Sequence, residues 1–140
     1  MALKDLLRLR KSGADPTFNF TPTTDLEPSS DPSSLRSIAA RHSGTRFVKW
    51  LHYFDVYDRH VGEFLAERDR RGLREPLRVL EIGVWRGGSL ELWREFLGGD
   101  AVIFGVDIDP ESARVPSDTA KVRTGSQTDQ TFMRGVLQEM

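Results

Sequence analysis

The stretch Val79-Leu-Glu-Ile-Gly-Val-Trp-Arg-Gly-Gly-Ser-Leu90 constrains this chain more than any other. An apolar run passes through Glu81 and stops at Gly83, and Gly87 and Gly88 follow just before a helical pattern opens at Ser89. Glycine lets backbone turn sharply and lets a ligand approach closely. The first turn of the new helix presents N–H groups that have no partner within the helix. A second landmark is Phe104-Gly-Val-Asp-Ile-Asp-Pro110, an apolar strand ending at Asp107, with Asp109 two residues on. An acid at the tip of the next strand is where a ribose is commonly held.

Around these landmarks the pattern from Leu77 reads strand (77–82), helix (89–97), strand (101–106), loop or single turn (110–117), strand (120–124) and helix (about 132–140). This alternation predicts an α/β fold with a parallel sheet. It corresponds to the first half of a Rossmann-like, doubly wound sheet, preceded by an N-terminal helical segment. The strand-order reversal of such folds needs a fourth strand beside the first, and no further strand pattern follows before Met140. Upstream, Phe47, Trp50, Leu51, Phe54, Tyr57, Val61, Phe64 and Leu65 recur at helical spacing and predict one long helix entered after His42–Thr45. Leu35–Arg41 reads as a short helix and residues 2–12 as an amphipathic start. Residues 13–34, punctuated by Pro16, Pro22, Pro28 and Pro32, read as linker, with Phe18 and Phe20 able to pin it to the domain. The expected organisation is therefore 1–34, 35–76 and 77–140.

Composition narrows the partners. The 140 residues carry a net charge of −1, which gives no general pull toward nucleic acid or an anionic membrane. Cysteine is absent, so disulfides and cysteine metal sites are excluded. No apolar run nears the roughly 20 residues that span a bilayer, and the N-terminus has no signal-peptide core. A cytoplasmic protein acting on a small molecule is expected, with homo-oligomerisation left open. His42, His52 and His60 do not share a face with acids at metal spacing, so no metal ligands are expected in this chain.

The glycine spacing chooses among ligands. Gly83-x-x-x-Gly87-Gly88 is neither the G-x-G-x-x-G of dinucleotide sites nor a P-loop. Glu81 would repel a pyrophosphate, and it suits an ammonium or a hydroxyl. S-adenosylmethionine has both and adds a positive sulfonium, so acids at two strand tips favour it over NAD. Plainer roles stay open. The glycines could serve only a tight turn, Asp107 and Asp109 could cap the turn at Pro110, Ser126 and Gln127 could be ordinary turn residues, and Trp50 and Trp85 could be packing.

Leu80–Leu90 with Gly105–Pro110 resembles class I S-adenosylmethionine-dependent methyltransferases, and within them the macrolide and deoxysugar O-methyltransferase group. Lys49-Trp50, His52-Tyr53 and Gly125-Ser-Gln-Thr-Asp129 extend the likeness across about residues 42–137. The resemblance implies S-adenosylmethionine as cofactor and a sugar or polyketide-type hydroxyl as acceptor. Glu81 and Gly83 would lie along the cofactor's amino-acid and ribose region, and Gly87, Gly88 and Ser89 would shape the turn. Asp107 would take the ribose hydroxyls with Asp109 beside it, and Ser126 and Gln127 would lie near the adenine. Lys49, His52 and Tyr53 would stand at the substrate or cofactor edge. The group's magnesium ligands and catalytic base would follow the next strand. No such stretch occurs here, so Mg2+ is expected only in a longer form and no catalytic residue is assigned. Two rivals remain: a non-catalytic module completed by a partner, and an NAD- or nucleotide-dependent enzyme.

Overall fold

The computed structural model describes residues 26–140. The expected helix at 2–12 and the pinning of Phe18 and Phe20 lie outside the described residues. The elements are α1 (Leu35–Arg41), α2 (Leu51–Arg70), β1 (Arg78–Ile82), α3 (Gly88–Leu97), β2 (Val102–Asp107), a 3-10 turn (Pro110–Arg114), β3 (Lys121–Thr124) and α4 (Gln130–Glu139). The three strands are parallel in the order β1-β2-β3. This is the order and direction expected of the first half of a doubly wound sheet.

β2 is the centre because its side chains alternate between two apolar faces. Ile103 joins a core with Val84, Leu90, Leu92 and Trp93, closed by Leu35 and Ile38 of α1 and Phe54 of α2. Phe104 and Val106 point the other way and pack with Val136, Phe132 and Met133 of α4. Helices therefore cover both faces, and the near-continuous apolar sequence of β2 follows from burial on both sides. Each fully buried side chain of this kind contributes roughly 1.5–3 kcal/mol.

Local signals set the element ends. The Ser34 side chain accepts from the Ser37 amide and caps α1. Ser29 ties back to the Ser34 and Ser37 hydroxyls, and Leu26 packs on the larger core, so residues 26–34 form a fixed turn beneath α1. Gly98, at φ 83°, ends α3. The Asp129 side chain accepts from the Thr131 and Phe132 amides and starts α4. Asp109 does the same for the 3-10 turn through the Glu111 amide, with Pro110 at its first position.

The long helix departs from the sequence expectation. It begins at Leu51, and Phe47 and Trp50 precede it in irregular chain. It also runs on to Arg70, beyond Leu65, the last apolar position of the helical period. Only Phe54 on it is fully buried, while Leu51, Tyr53, Val56 and Phe64 remain exposed. The helical period continues upstream in sequence, but tertiary contacts hold residues 45–49 as a strap across the start of α3. In α4 Val136 is buried and its neighbour Leu137 is exposed.

Candidate cofactor site

The turn after β1 is built on left-handed backbone. Gly83 and Gly87 have φ of 90° and 86°, and Trp85 between them reaches 53°, rare for a residue with a side chain. Its neighbours hold this conformation. The Gly83 amide donates to the Val106 carbonyl at 2.8 Å, and the Trp85 amide donates to Asp107 Oδ2 at 2.8 Å. Asp107 Oδ1 accepts from the Asp109 amide at 2.9 Å. Asp107 thus spends one acceptor position on each oxygen to join the tips of β1 and β2. A carboxylate offers about four such positions. The Gly125 amide donates to the Asp107 carbonyl at 2.9 Å and draws the tip of β3 into the same rim.

Gly88 is required by a close approach. A Cβ there would drive into the Thr45 carbonyl oxygen and stand 2.6 Å from that of Arg46. The strap is fastened at this point by Glu91, which accepts from the Thr45 amide at 2.9 Å and from the Thr45 hydroxyl, with His42 Nε2 3.4 Å away. Beyond the fastening, the strap and the turn enclose a cavity of about 320 Å3. Its walls include Arg46 and Lys49 from the strap, Glu81 and Gly83 from the strand end, and Trp85 and Ser89 from the turn and helix start.

Glu81 is the fixed acid of this cavity. It accepts from the Ser89 hydroxyl and from Trp93 Nε1 at 2.8 Å, and Lys49 Nζ lies 3.8 Å from its Oε1. Trp93 stacks edge-on against Tyr57 at 5.3 Å, so α2 and α3 together set the position of the carboxylate. The structure therefore gathers Lys49, Glu81, Gly83, Gly88 and Ser89 into one cavity. Gly87 shapes the turn from behind, where a Cβ would collide with Val115. Asp107 and Asp109 sit at the neighbouring strand tip and serve turn and cap. Ser126 bonds to Thr128 in a local turn, and Gln127 is exposed. His52 and Tyr53 are exposed on the first turn of α2, in edge contact with each other at 4.9 Å, and do not line the cavity.

Sequence reasoning missed Trp93 as the partner of Glu81, and Thr45 with Glu91 as the strap's fastening. A signal existed for Trp93: it lies one helical turn beyond Ser89 and so shares its face. None existed for the strap. A second cavity, of about 750 Å3, opens at the opposite end of the sheet, around Arg68, Asp69, Arg74, Leu77 and Asp100. It is the larger, but it lies at the amino ends of the strands, whereas ligands of such sheets bind at the carboxyl ends. Among the described residues no three His, Asp or Glu side chains come together as a metal-ligand set, and no helix is long and apolar enough to cross a membrane.

No protein-family model matches the chain. It is 36% identical over 109 residues to the mycinamicin VI 2''-O-methyltransferase of Micromonospora griseorubida, covering 71% of this chain and 24% of that protein. It is 39% identical over 74 residues to the demethylmacrocin O-methyltransferase of Streptomyces fradiae, covering 46% of this chain and 16% of that protein. Its fold matches the solved MycE methyltransferase of the mycinamycin biosynthetic pathway in complex with Mg, SAH and mycinamycin VI. The TM-score is 0.55 at 29% identity, over 76% of this chain and 28% of that one. A second crystal form, with Mg and SAH, gives a TM-score of 0.56 at 27% identity. The chain spans about a quarter of the length of the first of these relatives and about a sixth of the second. Over the residues matched, the chain is a homologue of the mycinamicin and macrocin O-methyltransferases.

Proposed function

We propose that this chain is the cofactor-binding part of an S-adenosylmethionine-dependent methyltransferase that acts in the cytoplasm on a hydroxyl of a sugar or polyketide-type small molecule. The observation that carries the reading is the cavity of about 320 Å3 at the carboxyl end of β1, with a fixed carboxylate, Glu81, in its wall. The names of the relatives support it, as do the SAH complexes of the structural neighbours. In this reading residues 77–140 are the cofactor half-domain, 35–76 the helical segment that closes it, and 1–34 the amphipathic start and linker leading into it, whose last residues, from Leu26, pack against the core.

The chain's own residues would bind and orient. Gly83 presents open space above the turn, with no atom within 4 Å of where a Cβ would stand, so a ligand can lie on the backbone there. Gly87, Gly88 and Ser89 hold the turn that shapes this floor. Glu81 offers negative charge to a cationic ligand. Asp107 retains acceptor capacity for ribose hydroxyls, with Asp109 beside it, and Ser126 and Gln127 stand at the next strand tip for the adenine. Exposed Ile108, between the two acids, gives a base an apolar surface. His52 and Tyr53, exposed at the start of α2, would stand at the substrate or cofactor edge. The bound cofactor supplies an electrophilic methyl group; the protein's part is to position it and to exclude water. Magnesium, found with the MycE neighbours, would need ligands from beyond the described residues. The rival NAD reading keeps its difficulty, a carboxylate where a pyrophosphate would lie. The rival module reading predicts no cofactor binding by the chain alone. Isothermal titration of the chain with S-adenosylhomocysteine tests the proposal. Saturable one-to-one binding is expected, and no heat of binding up to millimolar ligand overturns it.

A further inference from the structure

Gly83, Trp85 and Gly87 take left-handed backbone in alternation, at φ of 90°, 53° and 86°. Gly83, Trp85 and Gly88 also have the spacing of the three glycines in the dinucleotide fingerprint G-x-G-x-x-G. Two of these positions keep the roles the fingerprint gives them. Gly83 makes the tight turn, and Gly88 permits close packing, here against the carbonyls of Thr45 and Arg46. The middle position is where backbone must lie bare for a diphosphate to rest on it. Here that position carries an indole.

The indole is held in place against a steric penalty. Left-handed backbone disfavours a bulky side chain, and such residues persist where their surroundings over-determine them, often at ligand sites. The surroundings here are specific. Asp107 Oδ2 accepts from the Trp85 amide at 2.8 Å, and the Arg86 guanidinium stands 5.0 Å from the centre of the ring. Trp85 lines the cofactor cavity together with Gly83 and Ser89. Two residues on, α3 begins at Gly88 with no side-chain cap, so its first turn offers N–H groups of the kind that hold phosphates. A diphosphate would lack room at this turn, not donors. Glu81, in the same wall, adds a like charge.

We propose that Trp85 is a specificity-determining residue. Its indole fills the seat that a diphosphate would take on this turn, so the cavity admits an adenosine bearing a thioether tail and turns away an adenosine bearing two phosphates. This deepens the cofactor reading above and rests on it. Discrimination between two ligands comes as much from a clash built against one as from contacts made to the other. Glu81 and Trp85 exclude the diphosphate by different means, the first by charge and the second by volume. The two contributions can therefore be separated by substitution.

The test titrates S-adenosylhomocysteine and ADP into the wild-type chain and its variants. The wild-type chain should prefer S-adenosylhomocysteine by at least about a hundredfold. Trp85→Gly should cut that preference at least about tenfold by gaining ADP affinity, with S-adenosylhomocysteine affinity held within about threefold. Trp85→Asn should act in the same direction, since asparagine is small and tolerates left-handed backbone. Trp85→Phe should keep the wild-type preference. Both small residues suit the turn, so these variants should retain the fold. In a Glu81→Gln background the like charge is gone, and Trp85→Gly should still gain at least about tenfold in ADP affinity. No gain of ADP affinity from either small residue, in either background, overturns the inference and leaves the cofactor reading standing. So does a loss of S-adenosylhomocysteine affinity without a gain for ADP, since the ring would then support the cofactor and not exclude its rival. Failure of the wild-type chain to bind S-adenosylhomocysteine overturns the cofactor reading, and this inference with it.

Discussion

Gly88 shows how a single hydrogen in place of a methyl group decides the site. Its backbone is ordinary helix, where alanine would normally be the better residue. The obstacle lies across the gap, in the carbonyl oxygens of Thr45 and Arg46, which are backbone and cannot rotate away. Gly88→Ala should therefore cost about 1–3 kcal/mol in urea denaturation, the usual range for overpacking. It should also weaken S-adenosylhomocysteine binding, because the strap that moves carries Lys49. Gly62→Ala is the contrasting case. Nothing lies within 4 Å of a Cβ there, so the same change in α2 should stabilise by up to about 1 kcal/mol. Of these residues the sequence marked Gly88, Glu81 and Asp107 through their place at strand ends. It could not mark the pairing of Lys49 with Glu81, because residues far apart in the chain met only through the strap.

At the scale of elements, α2 was legible as a helix but not in its start. Phe47, Trp50 and Leu51 keep the helical period, and periodicity alone does not report that Thr45 is bonded to Glu91 and held off the helix axis. The strands and α3 were read within a residue or so, since glycines and strong apolar runs bound them. Electrostatics on α2 makes a separate prediction. Burial, and then the charge of Asp55, raise the Asp58 carboxyl above its ordinary value, with Arg36 opposing. A carboxyl whose folded value is raised binds its proton more tightly in the native state. Stability is then fully present below the unfolded value and is lost as pH rises through the folded one. Asp58→Asn should thus raise the denaturation midpoint near neutral pH, by under about 1 kcal/mol given solvent screening. The advantage should vanish in acid, where both proteins are uncharged at this position. Thermal melts across the acid range check both halves. Glu139 behaves oppositely: its hydrogen bond from Arg123 holds its carboxyl below the ordinary value, so that contribution is lost as pH falls.

The molecule as a whole is a sheet with unequal layers. One face carries α1, α2 and α3 over a broad core, and the other carries α4 over three buried residues, Phe104, Val106 and Val136. Of these α4 itself supplies only Val136. Regions with few buried apolar contacts open first. Amide hydrogen exchange should therefore be at least about tenfold faster in α4 than in β2, and equal protection would contradict the layered account. The parallel three-layer plan was readable from the alternation of strands and helices. The relative weight of the layers was not, because it depends on which faces of α2 and α4 find partners. The bond from Trp93 Nε1 to Glu81 carries one more consequence. An indole is sensitive to the charge beside it, and this one grips the acid in the cavity wall while its ring stays shielded from solvent. The protein thus holds an intrinsic optical label wired to its own binding chamber.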